Sequence, residues 1–104
     1  MTRMHAVLEY TYGDDYLERR EQYRAEHLRA AWDAVERGEL FLGGAAGSGP
    51  YTGLLIFQGD DPVALAERFA ADDPYVVNGL VQSWTARPWT TVVGHDAATP
   101  VRPA

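Results

Sequence analysis

The stretch Asp14 to Arg37 has the spacing of one long amphipathic helix. Its inner half carries charge, which constrains what it can pack against. At about 100° per residue, Leu17, Leu28, Ala31 and Val35 fall at the centre of the apolar stripe. Arg24 lies within that stripe, and Arg20 and His27 stand on its shoulder with Tyr16, Tyr23 and Ala34. Glu18, Arg19, Gln22, Glu26, Arg29, Asp33 and Glu36 take the opposite, solvated face. Cationic groups on an inner face cost desolvation free energy unless they are paired or line a polar cavity. A helix of this kind is expected to cover a ligand cavity.

The rest of the chain suits one small domain. It has 104 residues, 46% of them hydrophobic, with three Trp, six Tyr and three Phe to build a core. A core of this size is modest, and association would add to its stability. The net charge of −6 argues against a partner held through nucleic-acid phosphates or an anionic membrane. There are no cysteines, which excludes disulfides, thiolate metal sites and cysteine nucleophiles. Residues 1–12 alternate like a strand and lack the apolar run of a signal peptide. No stretch approaches the roughly 20 apolar residues of a membrane span. A cytoplasmic protein is the expectation.

Met4 to Tyr12 reads as a strand, with Met4, Ala6, Leu8 and Tyr10 on one side and His5, Val7 and Glu9 on the other. Gly13-Asp14-Asp15 is a turn offering a carboxylate N-cap, and Gly38 suits a left-handed helix end. Glu39–Gly44 and Tyr51–Gln58 read as strands flanking a small-residue loop. Pro62 opens a second helix, and Asp72-Asp73-Pro74-Tyr75 breaks it before a short helical piece that ends near Gly79. Val81 to Val93 is a last strand, at an edge or bulged because it contains Pro88. The polar segment from residue 95 to 104 is expected to be a mobile tail, leaving residues 1–94 as the domain.

This order, βαββαβ, predicts an α+β ferredoxin-like fold: a four-stranded antiparallel sheet with two helices on one face. Its strands fall near 3–12, 39–45, 52–58 and 81–93. Leu8, Phe41, Leu55, Phe57, Val81 and Trp84 are too many apolar residues for one side of the pleat. A second copy packing sheet against sheet would bury the surplus, so a homodimer or larger homo-oligomer is expected.

Read in order, Arg20-x-x-x-Arg24-Ala25-Glu26-His27-Leu28, then Asp73-Pro74-Tyr75-Val76-x-x-Gly79, then Arg87-Pro88-Trp89 resembles the YCII-related (YciI-like) family. The similarity runs from residue 3 to about residue 93. The resemblance implies a dimeric α/β barrel with a His–Asp pair in a pocket between helix and sheet. By position the pair is His27 and Asp73, with Arg24 and Arg20 close by. It also implies kinship with enzymes that dehalogenate chlorinated hydroxyquinols and, more distantly, with lactone isomerases and cofactor-free monooxygenases. The chain departs from the family pattern at Ala45, where proline is usual, and at Leu54, where serine is usual. Loss of that hydroxyl removes a possible substrate donor.

Histidine suits proton transfer near neutrality, and a carboxylate such as Asp73 would fix its tautomer. The plainer alternative is a half-buried His27 satisfied by a backbone carbonyl. Asp73, before a proline, is also an ordinary cap residue. Arg20 and Arg24 would hold a substrate carboxylate or enolate, or else pair with an acid such as Asp73 or Glu9. Among Tyr10, Tyr12, Tyr23, Tyr51, Tyr75, Trp84 and Trp89, one or two are expected to touch the ligand, with Tyr75 the first candidate. His5 with Glu9, and His95 with Asp96, fall short of a metal site. No cofactor motif is present. The reading is a cofactor-independent enzyme of lyase, isomerase or dehalogenase type, acting by acid–base chemistry on a small organic anion, aromatic or lactone-like. The competing class is a ligand-binding or interaction module without turnover.

Overall fold

The computed structural model describes residues 3–104; Met1 and Thr2, which open the expected domain of residues 1–94, lie outside the described residues. The elements are β1 (Met4–Tyr12), α1 (Tyr16–Glu36), β2 (Leu40–Ala46), β3 (Thr52–Gly59), α2 (Pro62–Asp72), α3 (Pro74–Val77) and β4 (Val81–Trp89). The four strands form one antiparallel sheet in the order β2-β3-β1-β4, the α+β ferredoxin-like arrangement expected, with α3 as a third, short helix. Among the described residues no helix is long and apolar enough to cross a membrane.

Register explains the core. Ala6 pairs with Phe57, Leu8 with Leu55 and with Ala86, and Tyr10 with Gly53 and Trp84. Side chains directly opposite one another share a face, so all of these point toward the helices. Leu8, Tyr10, Leu55 and Phe57 are buried, with Ala34 of α1 and Ala66 and Ala70 of α2 packed on them. Burial of each large apolar side chain contributes about 1.5–3 kcal/mol. Five of the six residues judged too many for one side, Leu8, Leu55, Phe57, Val81 and Trp84, belong to this single core. Only Phe41 stands out at the β2 bulge, 44% exposed. The surplus apolar surface lies elsewhere: Val7, Leu54 and Ile56 form a patch on the other face of the sheet.

The helix ends follow local chemistry. Gly38 adopts φ +76°, and the Gly38 and Glu39 N–H groups donate to the carbonyls of Val35 and Ala34, closing α1. At the other end the expected carboxylate cap is absent. Asp15 occupies the cap position but makes no cap hydrogen bond, and lies 3.6 Å from Arg19 instead. Asp61 does cap α2, accepting from the Ala64 N–H.

The last strand stops at Trp89 rather than residue 93. Trp89 is opposite His5, and β1 begins one residue earlier at Met4, so no strand remains to pair with. Pro88 is tolerated because β4 is an edge strand. The chain then returns on itself: Thr99 and Val101 N–H groups donate to the carbonyls of Thr91 and Val92. The Thr91 hydroxyl also meets His5 Nδ1 at 2.8 Å, which ties this segment to β1.

Candidate active site

Asp73 stands at the joint between α2 and α3, where Pro74 forbids a continuous helix. Its extended backbone makes it the N-cap of α3, and Oδ1 accepts from the Tyr75 N–H at 3.0 Å. The same oxygen lies 2.8 Å from His27 Nδ1, and Oδ2 accepts from the Tyr10 hydroxyl at 2.7 Å. The side chain is wholly inaccessible to solvent. A carboxylate can only accept, so Nδ1 of His27 carries the proton, and in the neutral imidazole Nε2 presents a lone pair. The His27 ring stacks on Tyr75, with centroids 3.9 Å apart and 9° between planes, and Phe69 closes its edge. The ring is thus held by one polar and two aromatic contacts, from α2, α3 and the joint between them.

The ring borders a cavity of about 350 Å³ between α1 and the β2 side of the sheet. Tyr12, Tyr16 and Tyr75 form one wall, and Leu28, Trp32 and Val35 of α1 face Leu40, Phe41 and Leu55 across it. Arg20 and Arg24 stand at the cavity as expected. Their environments differ. The Arg20 guanidinium lies 5.6 Å from the centroid of the Tyr16 ring, and its interaction with that phenol raises its pKa. Arg24 makes no ion pair or side-chain hydrogen bond among the described residues. Arg20 likewise makes no ion pair among the described residues, so both cations stand available for an anion.

The phenols report the field. Burial, then the neighbouring Tyr16, push the Tyr75 phenol up to about 12, while Arg24 and Arg20 pull against that rise by favouring the anion. Tyr12, stacked on Tyr16 at 3.7 Å, is raised well above the ordinary phenol by burial first and Tyr16 second.

Every expected site residue, Arg20, Arg24, His27, Asp73 and Tyr75, is therefore drawn into one region. Of the aromatic candidates, Tyr12 and Tyr75 line the cavity, and Tyr10 lies beneath it, fully buried. Other expectations are corrected. Leu54, read as the site of a lost hydroxyl, sits on the opposite face of the sheet, since Leu55 is the residue that points inward. Its missing hydroxyl takes nothing from this cavity. Ala45 does line it. Glu9, the alternative acid, is on the far face, 3.4 Å from Arg87. Leu17 and Leu28, placed at the centre of the buried stripe, are 52% and 41% exposed. Tyr16 and Trp32 were not singled out. The spacing of Tyr16 four residues before Arg20 was the available signal for a contact on one helix face.

This chain belongs to the YCII-related family: the model of the YCII-related domain matches residues 4–90. Its fold is similar to that of 5-chloro-2-hydroxyhydroquinone dehydrochlorinase (TftG) from Burkholderia phenoliruptrix AC1100, solved in complex with 2,5-dihydroxybenzoquinone. The match has a TM-score of 0.68 at 20% identity and covers 85% of this chain and 95% of that one. No curated protein matches the sequence significantly.

Proposed function

We propose that this protein is a small cofactor-independent enzyme that moves a proton on a small, planar organic anion. The observation that carries the reading is the His27 ring, pinned at Nδ1 by Asp73 beside a cavity lined by Arg24 and Arg20. His27 Nε2 takes a proton from an acidic O–H or C–H of the substrate. Asp73 stabilises the imidazolium so formed. Arg24, assisted by Arg20, holds the enolate or phenolate oxygen left behind. The imidazolium then returns the proton to another atom, or to a leaving group. The aromatic walls suit a flat ring, and the dihydroxybenzoquinone bound by TftG is a ligand of that shape and polarity.

The test is a panel of halogenated hydroquinones and phenols, lactones and enols, assayed with the wild type, His27→Ala and Arg24→Gln. Turnover of one compound is expected to fall by about 10²–10⁴-fold in His27→Ala with the fold intact. Arg24→Gln is expected chiefly to weaken the binding of the anion, by about 1.5–3 kcal/mol. Binding by the wild type without turnover of any compound identifies a ligand-binding module instead.

A further inference from the structure

Tyr10 is fully buried and stays out of the cavity, yet its hydroxyl serves the carboxylate that holds His27. A buried phenol needs a partner. Here that partner is Asp73 Oδ2, while Oδ1 takes His27 Nδ1 and the Tyr75 N–H. The three donors come from β1, α1 and α3. With Oδ2 held by β1, the carboxylate cannot rotate about its terminal torsion, and Oδ1 is fixed toward the imidazole. The hydrogen bond also draws charge from Asp73, so Oδ1 pulls less strongly on the His27 proton than a free carboxylate would.

We propose that Tyr10 is a positioning residue for His27: its phenol orients Asp73 and moderates that carboxylate's hold on the imidazole. This rests on the reading of His27 as the proton carrier. The phenol keeps its own proton, because burial and then the Asp73 charge raise its pKa far above the ordinary value. The other charged or titratable groups around the pair are Arg20 and Arg24 on α1 and Tyr75 on α3, with Tyr12 of β1 close enough to feel the Asp73 charge. On its far side Asp73 borders a second cavity shared with Asp33 and Arg37 of α1, Glu39 before β2, and Arg68 and Asp72 of α2.

The experiment is a ¹⁵N NMR titration of the histidine rings in the full chain. The chain has three histidines, and His27→Gln assigns the relevant signals. Asp73→Asn should move the His27 midpoint to lower pH, since the stabilising charge is gone. Tyr10→Phe should move it the other way, by about half a pH unit, because Asp73 regains the charge that the phenol withdrew. Site-specific 3-fluorotyrosine at position 10 keeps the hydroxyl and makes it a stronger donor, so it should lower the midpoint, and it decides the matter should Tyr10→Phe not fold. Exposed His95 serves as the internal control. A His27 midpoint that responds to Asp73→Asn but moves less than about a tenth of a unit with fluorotyrosine or Tyr10→Phe overturns the role of Tyr10 and leaves the dyad standing. A midpoint indifferent to Asp73→Asn overturns the dyad as well.

Discussion

Tyr75 supplies the aromatic face under His27, a backbone N–H to Asp73 and part of the cavity wall. Its phenol is raised from the model-compound value of 10.0 to about 12, and those of Tyr10 and Tyr12 are raised further. In the unfolded chain all three would ionise near 10. A raised folded-state pKa means stability that is fully present below 10 and is lost as the pH climbs toward 12 and beyond. Denaturant midpoints measured from pH 9 to 12 should therefore fall steeply above pH 10. Phenolate absorbance should show a group of tyrosines that ionise only with unfolding. Tyrosines that all titrate reversibly near 10 in the folded protein would contradict the burial described. The contact between His27 and Asp73, 46 positions apart, was legible only through the family motif. Helical periodicity placed His27 and Arg24 toward the sheet, but no local pattern says which acid returns to meet them. The cap position of Asp73 was legible from Pro74.

The helices divide the sheet unevenly, and this is what periodicity could not supply. Ala66 and Ala70 of α2 are fully buried, and Phe57 packs against Phe69, so α2 sits close on the sheet. Along α1 only Tyr16 and Ala34 are buried, and the cavity lies between its middle turns and β2. Leu28 is exposed because it borders an open cavity, although its place at the centre of the apolar stripe is that of a core residue. On the strand side, Gly53 makes the arrangement possible. A methyl group there would overlap the Tyr12 hydroxyl and come within 2.9 Å of the Tyr10 Cβ. Tyr12 could swing aside only by leaving its stack on Tyr16, whereas the Tyr10 Cβ is fixed by the strand. Gly53→Ala should cost about 1–3 kcal/mol, read as a lower unfolding midpoint. It should also weaken ligand binding, because Tyr12 is displaced into the cavity. An unchanged melting temperature would mean that the β1–β3 spacing yields more easily than the register implies.

For the molecule as a whole, the outer face of the sheet is the unfinished surface. Val7, Leu54 and Ile56 lie there side by side, with exposed Leu42 and Trp89 at its margins. A second copy apposed at this face is expected, consistent with the sequence-based expectation of a dimer. Sedimentation at micromolar concentration should give twice the chain mass of 11.5 kDa, and Leu54→Arg should halve it while leaving the fold unchanged. A wild-type monomer would discard the assembly. Leu54, read from sequence as a lost substrate donor, would then act at the interface. The carboxylate at the centre of the molecule has a consequence of a different kind. Asp73 caps a helix and receives donors from three separate segments, so the folded state itself demands it. If the proposed reaction were abandoned, a lineage would still be selected to keep Asp73, whereas His27 would be free to drift. On that proposal, across descendants of this protein the persistence of the aspartate would record only that the chain still folds, and the persistence of the histidine would be the trace of chemistry under selection.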